Sequence, residues 1–175
     1  MLLDGYWKRD LIKFKRQLKF WSRYDGSLLR DYAVHKMNSC FLYSAAIIRK
    51  IVLDEIDAKE KIDNSELPPA QFKVLKCSVQ LKRYKYIGED NFFAQSRCIL
   101  SDYNTKKSER VELSLKEICN QFIHSYVWSP VYTSDMKKLY GALFSSDKDK
   151  EKFVYLLNIK DWITALDFVI ENCNI

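Results

Sequence analysis

His124 is one of two histidines in the chain, and its neighbours stand at a spacing that chemistry can use. Glu117, Asn120, Gln121 and His124 recur at i, i+3, i+4 and i+7. On a helix that spacing gathers a carboxylate, two amides and an imidazole on one face. Imidazole titrates near neutrality and suits general acid–base work. Asn120 is placed to orient that ring or a phosphate oxygen. On the other side Leu115, Ile118, Cys119, Phe122 and Tyr126 repeat at helical spacing and predict a buried stripe. Ser114 and Glu117 have the separation of a capping box, so the expected motif helix runs over 114–126.

This stretch, Cys119-Asn120-Gln121-Phe122-Ile123-His124, resembles the HEPN superfamily. That family comprises helical domains of many prokaryotic toxins and defence ribonucleases, and its motif is an arginine, a polar residue, a short spacer and a histidine. The resemblance implies an all-helical bundle that dimerises to pair two such motifs over RNA. Asn120 and His124 are the matched positions, and the resemblance implies that they are catalytic. Cys119 stands where the family has its arginine, and a thiol cannot present a fixed positive charge to a scissile phosphate. Arg30, Arg49 and His35 of the preceding long helix are the cations available to replace it. The implied protein is an RNA-binding protein or metal-independent endoribonuclease of a toxin–antitoxin or antiviral-defence system, acting as a homodimer because one Asn–His face is sparse for phosphodiester cleavage. The alternative is a non-catalytic interaction module that binds a protein partner, which the Cys119 substitution favours.

Charge supports a nucleic-acid reading. The net charge is +6, and residues 1–24 hold seven Lys and Arg against Asp4 and Asp10. Lys15, Arg16 and Lys19 of this segment are candidate RNA contacts. Residues 71–87 carry five basic side chains and no acid. There Lys82-Arg83-Tyr84-Lys85-Tyr86 interleaves cations with rings, the composition of a single-strand surface. Tyr103 lies near lysines in the same way. Lysine-rich solvated faces and tyrosines on a sheet edge have the same composition, so the pattern admits both readings.

Other chemistries lack their residues. The five cysteines are odd in number and widely spaced, with no C-x-x-C, which fits free thiols and neither a zinc site nor a disulfide framework. Two histidines without a carboxylate cluster predict no metal, and no glycine-rich phosphate loop points to a cofactor. The amino terminus lacks the apolar core of a signal peptide, and the longest near-apolar run, Phe41 to Ile48, is far shorter than a membrane span. A cytoplasmic protein without membrane partners is expected.

The elements that must hold these residues follow from periodicity. Trp7, Leu11, Phe14, Leu18 and Trp21 step by four and three and mark a first helix ended at Asp25-Gly26-Ser27. A long second helix is expected from about Leu28 to about Lys59, making 1–62 a helical hairpin. Leu67-Pro68-Pro69 closes that half. Residues 70–110 lean toward strand, with a phase slip at Val74/Leu75 that predicts a bulge, while 91–100 is compatible with helix or strand. Trp128 to Thr133 reads as extended around Pro130. Leu139 to Phe144 and Phe153 to Leu157 flank a polar turn and predict a hairpin, followed by a terminal helix from near Asp161 that completes 139–175. The expectation is a single α+β domain over 1–175, mainly helical: an N-terminal helical hairpin or bundle, a small antiparallel sheet and a C-terminal helix.

Overall fold

The computed structural model describes residues 4–23, 30–62, 73–74, 76–88, 102–133 and 138–172. Among these are four helices, α1 (Asp4–Trp21), α2 (Arg30–Ile62), α3 (Leu115–Ile123) and α4 (Ile159–Asn172). Five strands accompany them: β1 (Ser78–Tyr86), β2 (Tyr103–Ser114), β3 (Ser125–Tyr132), β4 (Leu139–Ser146) and β5 (Phe153–Asn158). The strands form one antiparallel sheet in the order β2-β1-β5-β4-β3.

This overturns the expectation of a mainly helical bundle with a small sheet. The sheet is the frame of the domain, and the helices lie against one of its faces. Strand alternation decides which residues face them. Val79 and Leu81 of β1, Ala142 and Phe144 of β4, and Tyr155 and Leu157 of β5 join the main core with the helices. Val127, Leu143 and Val154 point the other way and pack with Tyr84, Tyr86 and Tyr103.

An aromatic cluster locks the layers together. Phe122 of α3 stacks on Phe144 of β4 with centroids 4.3 Å apart, and lies 5.5 Å from Trp162 of α4. Phe41 of α2 stands 5.4 Å from Phe122 and 6.1 Å from Trp162. The buried Trp162 indole donates to Ser44 Oγ at 3.0 Å, so its one polar atom is satisfied inside the core.

The first helix buries Leu11 and Leu18 as its periodicity predicts, and α2 runs three residues further than expected. At 1.5 Å per residue the 33 residues of α2 span about 50 Å. The β4–β5 hairpin and the terminal helix also form where expected. Local details differ from the periodicity. Lys73, Val74 and Lys76 fall in a turn ahead of β1, with Cys77 N–H donating to Val74 O; Leu75, the other half of the expected bulge, lies outside the described residues, and the register shift within the strand falls at Tyr84/Tyr86. The polar run Asn104–Glu112 is strand, carrying the strand-leaning 70–110 segment on to the start of α3. The motif helix ends at Ile123, and Tyr126 belongs to β3, exposed and outside the buried stripe. The expected turn at Asp25–Ser27, the prolines at 68 and 69, the ambiguous 91–100 segment, and Cys98 and Cys173 lie outside the described residues.

Candidate functional site

Helix α3 is positioned by its own ends. Ser114 caps it in both directions: Glu117 N–H donates to Ser114 Oγ at 3.3 Å, and Ser114 N–H donates to Glu117 Oε2 at 2.8 Å. The predicted capping box is therefore present, and Glu117 is occupied by it. At the far end Gln121 ties α3 to the β4–β5 turn. Its Oε1 accepts from Ser146 N–H at 2.8 Å, and its amide donates to Asp149. Asp147 N–H in the same turn donates to the His124 carbonyl at 3.2 Å.

His124 is the C-cap residue, with φ −103° and ψ 23°, and its imidazole is exposed. It makes no side-chain hydrogen bond among the described residues. Because the helix stops one residue before it, the ring leaves α3 where the chain turns into β3. The four residues predicted to share a face do line one groove, of about 510 Å³, whose opposite wall is the turn Ser146–Asp149.

The residue that sequence reasoning could only offer among alternatives is Arg49. It reaches the groove from α2, and its Nε donates to Asn120 Oδ1 at 2.9 Å. That bond leaves the guanidinium's remaining donors for a ligand, in a plane fixed by Asn120. Among the described residues neither Arg49 nor Lys148, on the opposite wall, takes part in an ion pair. The three carboxylates of the groove are engaged: Glu117 with Ser114, Asp149 with Gln121, and Asp147 with Lys150. Lys150 also lies over the Tyr126 ring, 3.9 Å from its centroid.

His35 is exposed on α2, 14 residues before Arg49, about 21 Å along the axis, so it does not share the groove. The Arg30 side chain lies outside the described ones. Cys119 is fully buried beneath the groove. Burial pushes its thiol well above the ordinary range, an effect the Arg49 charge only partly offsets. Cys40 is pushed up to about 11 for the same reason. Neither is a nucleophile at neutral pH.

The predicted nucleic-acid residues on β1 are scattered. The strand lies between β2 and β5, so Lys82–Tyr86 is not a sheet edge. Arg83 donates to Glu109 at 2.7 Å and lies 4.1 Å from the Phe153 ring centroid, on the helix side of the sheet. Tyr84 packs on the far face, and Tyr86 meets Tyr103 edge-on at 5.5 Å. Lys82 is exposed on that far face beside Arg110, Gln80 and Tyr140, and Lys85 is exposed toward the helix side. In α1, Arg16 and Lys19 are exposed, but Lys15 turns inward to pair with Asp167 of α4.

Among the described residues no group of His, Cys, Asp and Glu side chains could hold a metal ion, and no helix is long and apolar enough to cross a membrane. No protein-family model, curated protein or solved structure matches this chain.

Proposed function

We propose that the groove between α3 and the β4–β5 turn acts on RNA, binding a phosphodiester and cleaving it without a metal. The observation that carries this reading is the Arg49–Asn120 hydrogen bond beside an exposed His124. A cation held in a fixed orientation is what the resemblance to HEPN ribonucleases lacks at Cys119, and here it comes from α2. The all-helical bundle that the resemblance implies is not this fold, so the reading rests on the groove itself.

In the proposed reaction His124 takes the proton of a ribose 2′-hydroxyl, and the 2′-oxygen attacks the adjacent phosphorus. Arg49 stabilises the charge that builds on the phosphoryl oxygens. The bond to the 5′-oxygen breaks, water in the open groove protonates the leaving oxygen, and a 2′,3′-cyclic phosphate remains. His124 later returns its proton to solvent. Asn120 is a positioning residue that acts through Arg49.

The test is incubation with end-labelled single-stranded RNA in the presence of a chelator. Cleavage to cyclic-phosphate ends is expected for the wild type, with DNA of the same sequence left intact. His124→Ala and Arg49→Gln should abolish it without loss of the folded state. Full activity in His124→Ala, or equal cutting of DNA, would remove the assignment.

The interaction-module reading is favoured by Leu42 and Tyr43, which are exposed on α2. A protein partner that co-purifies with the chain, with no nucleic acid released by a high-salt wash, would support it instead. The homodimer belongs to the nuclease reading, and a strict monomer in sedimentation at micromolar concentration would favour the interaction module.

A further inference from the structure

We infer that the outer ridge of α1 is a docking surface for single-stranded RNA, separate from the groove. This deepens the reading above by naming the surface that holds the strand.

The helix carries two stripes. One, at Trp7, Leu11, Phe14, Leu18 and Trp21, packs into the core. The other is Tyr6, Arg9, Lys13, Arg16, Phe20 and Arg23, again stepping by three and four, so these side chains line up along the helix and just past its end. All six are exposed, none is acidic, and the two rings are 61% and 55% accessible. Tyr6 and Phe20 are separated by about 21 Å along the axis, with three cations between them. The Arg9 guanidinium lies 5.2 Å from the Tyr6 ring centroid. On the flank, exposed Tyr32 of α2 meets Trp21 edge-on at 5.9 Å and has the Lys36 ammonium 5.2 Å from its centroid.

Phe20 meets Trp21 edge-on at 4.9 Å, yet both it and Tyr6 keep more than half of their surface exposed, an apolar area that a ligand would cover with gain. Cations at every step between them specify an anionic cover, and rings specify one with flat faces to stack. A single strand presents both, phosphates along one side and unstacked bases along the other. Duplex DNA fits less well. A recognition helix must enter a groove about 12 Å wide, and among the described residues α1 is flanked on one side by α2 and on the other by α4, so only its ridge is exposed. An anionic membrane also fits less well, because an interfacial helix buries a continuous apolar face, whereas the apolar face of α1 is in the core.

The experiment is fluorescence anisotropy with a labelled oligouridylate of about 15 nucleotides, at several salt concentrations. Wild type should bind, with affinity falling steeply as salt rises. The double variant Arg9→Gln/Arg16→Gln should bind at least about tenfold more weakly, with a salt slope smaller by about 1.4, the loss of two phosphate contacts. Phe20→Ala should weaken binding about tenfold with an unchanged slope. These positions are exposed, so circular dichroism should report an intact fold, and Lys13→Gln gives an independent point. His124→Ala should bind as wild type does; a variant that binds but does not cut isolates the ridge from the groove. Wild-type protein that does not bind, or an Arg9→Gln/Arg16→Gln variant that binds normally, overturns the inference. So does a ridge variant that loses binding to phosphatidylserine vesicles while keeping RNA affinity.

Discussion

Replacing Asn120 by aspartate separates a functional role for the Arg49–Asn120 pair from a structural one, because the two roles predict opposite signs. Asn120 Oδ1 accepts from Arg49 Nε at 2.9 Å, and Asn120→Asp keeps that acceptor while adding a charge. At about 4 Å between charge centres, an effective dielectric near 20 gives an attraction of about 4 kcal/mol. Arg49 is only half-buried, and Glu117, Asp147 and Asp149 already border the groove. Solvent screening and like-charge repulsion reduce the gain to about 1 kcal/mol or less. For a domain of this size that is an increase in Tm of up to about 2–4 °C. Activity should move the other way. A new carboxylate neutralises the guanidinium that a phosphate would use, and losing one charge-assisted hydrogen bond corresponds to about a 10- to 100-fold fall in kcat. Differential scanning fluorimetry and the RNA cleavage assay report the two quantities on the same preparation. A variant with lower Tm and lower activity together would make Asn120 a structural residue, and cleavage within about twofold of wild type would remove Arg49 from the chemistry.

Two further outcomes test the frame that holds the groove. Gly141 of β4 faces Asn158 of β5, and a Cβ there would lie 2.2 Å from the Leu157 carbonyl oxygen. Backbone cannot rotate away as a side chain can, so Gly141→Ala should unfold at markedly lower temperature or fail to accumulate in soluble form; an unchanged Tm would refute the register. Asp161, in the first turn of α4, has its carboxyl pushed above the usual range by desolvation, with Lys160 partly opposing. A raised acid favours the folded state below its unfolded pKa and loses that contribution as pH rises through the folded value. Asp161→Asn should therefore match wild type in Tm at the acid end of the carboxylate range and exceed it at neutral pH, and a variant that is less stable at neutral pH would reverse the sign.

The sequence made legible whatever depends on local periodicity. Leu11, Leu18, Met37, Phe41 and Ile48 announce two helices, and Ser114–Glu117 announces where α3 begins. Its end was not legible. Ser125-Tyr-Val-Trp128 continues the apolar pattern of the helix without a glycine or proline to mark the turn, so period alone carried the helix to Tyr126. Within the strand-leaning 70–110 segment the bounds of β2 are not legible, for a different reason. Residues 105–110 are exposed on both faces, and the strand pairs only with β1 at the margin of the sheet, so no alternation is written in it. Its evidence lies in cross-strand partners, Arg83 with Glu109 and Ser78 with Glu112, which have meaning only once the register is known. With β2 undelimited inside 70–110 and β3 read only as an extended stretch from Trp128, the sheet looks like an appendage. Arg49 is a similar case. It is 71 residues from Asn120, and nothing local distinguishes it from Arg30; only the packing of α2 on α3 selects it.

On the proposed reading, charge divides the work between the two surfaces. The groove brings Arg49 and Lys148 together with Glu117, Asp147 and Asp149, and so offers little net attraction to a polyanion. The ridge of α1 carries Arg9, Lys13, Arg16 and Arg23 with no acid among its six positions. The two lie on opposite flanks of α2, since Cys40 and Tyr43 face α1 while Arg49 faces α3. On that reading the strand spans both flanks of α2 between the ridge and His124. Holding and cutting should therefore separate in kinetics. Arg9→Gln/Arg16→Gln should raise KM about tenfold with kcat unchanged, the mark of lost uniform binding. His124→Ala should abolish kcat and leave the strand bound with wild-type affinity. A ridge variant that lowers kcat at saturating RNA would place the ridge inside the catalytic site, and the separation of the two surfaces would fail.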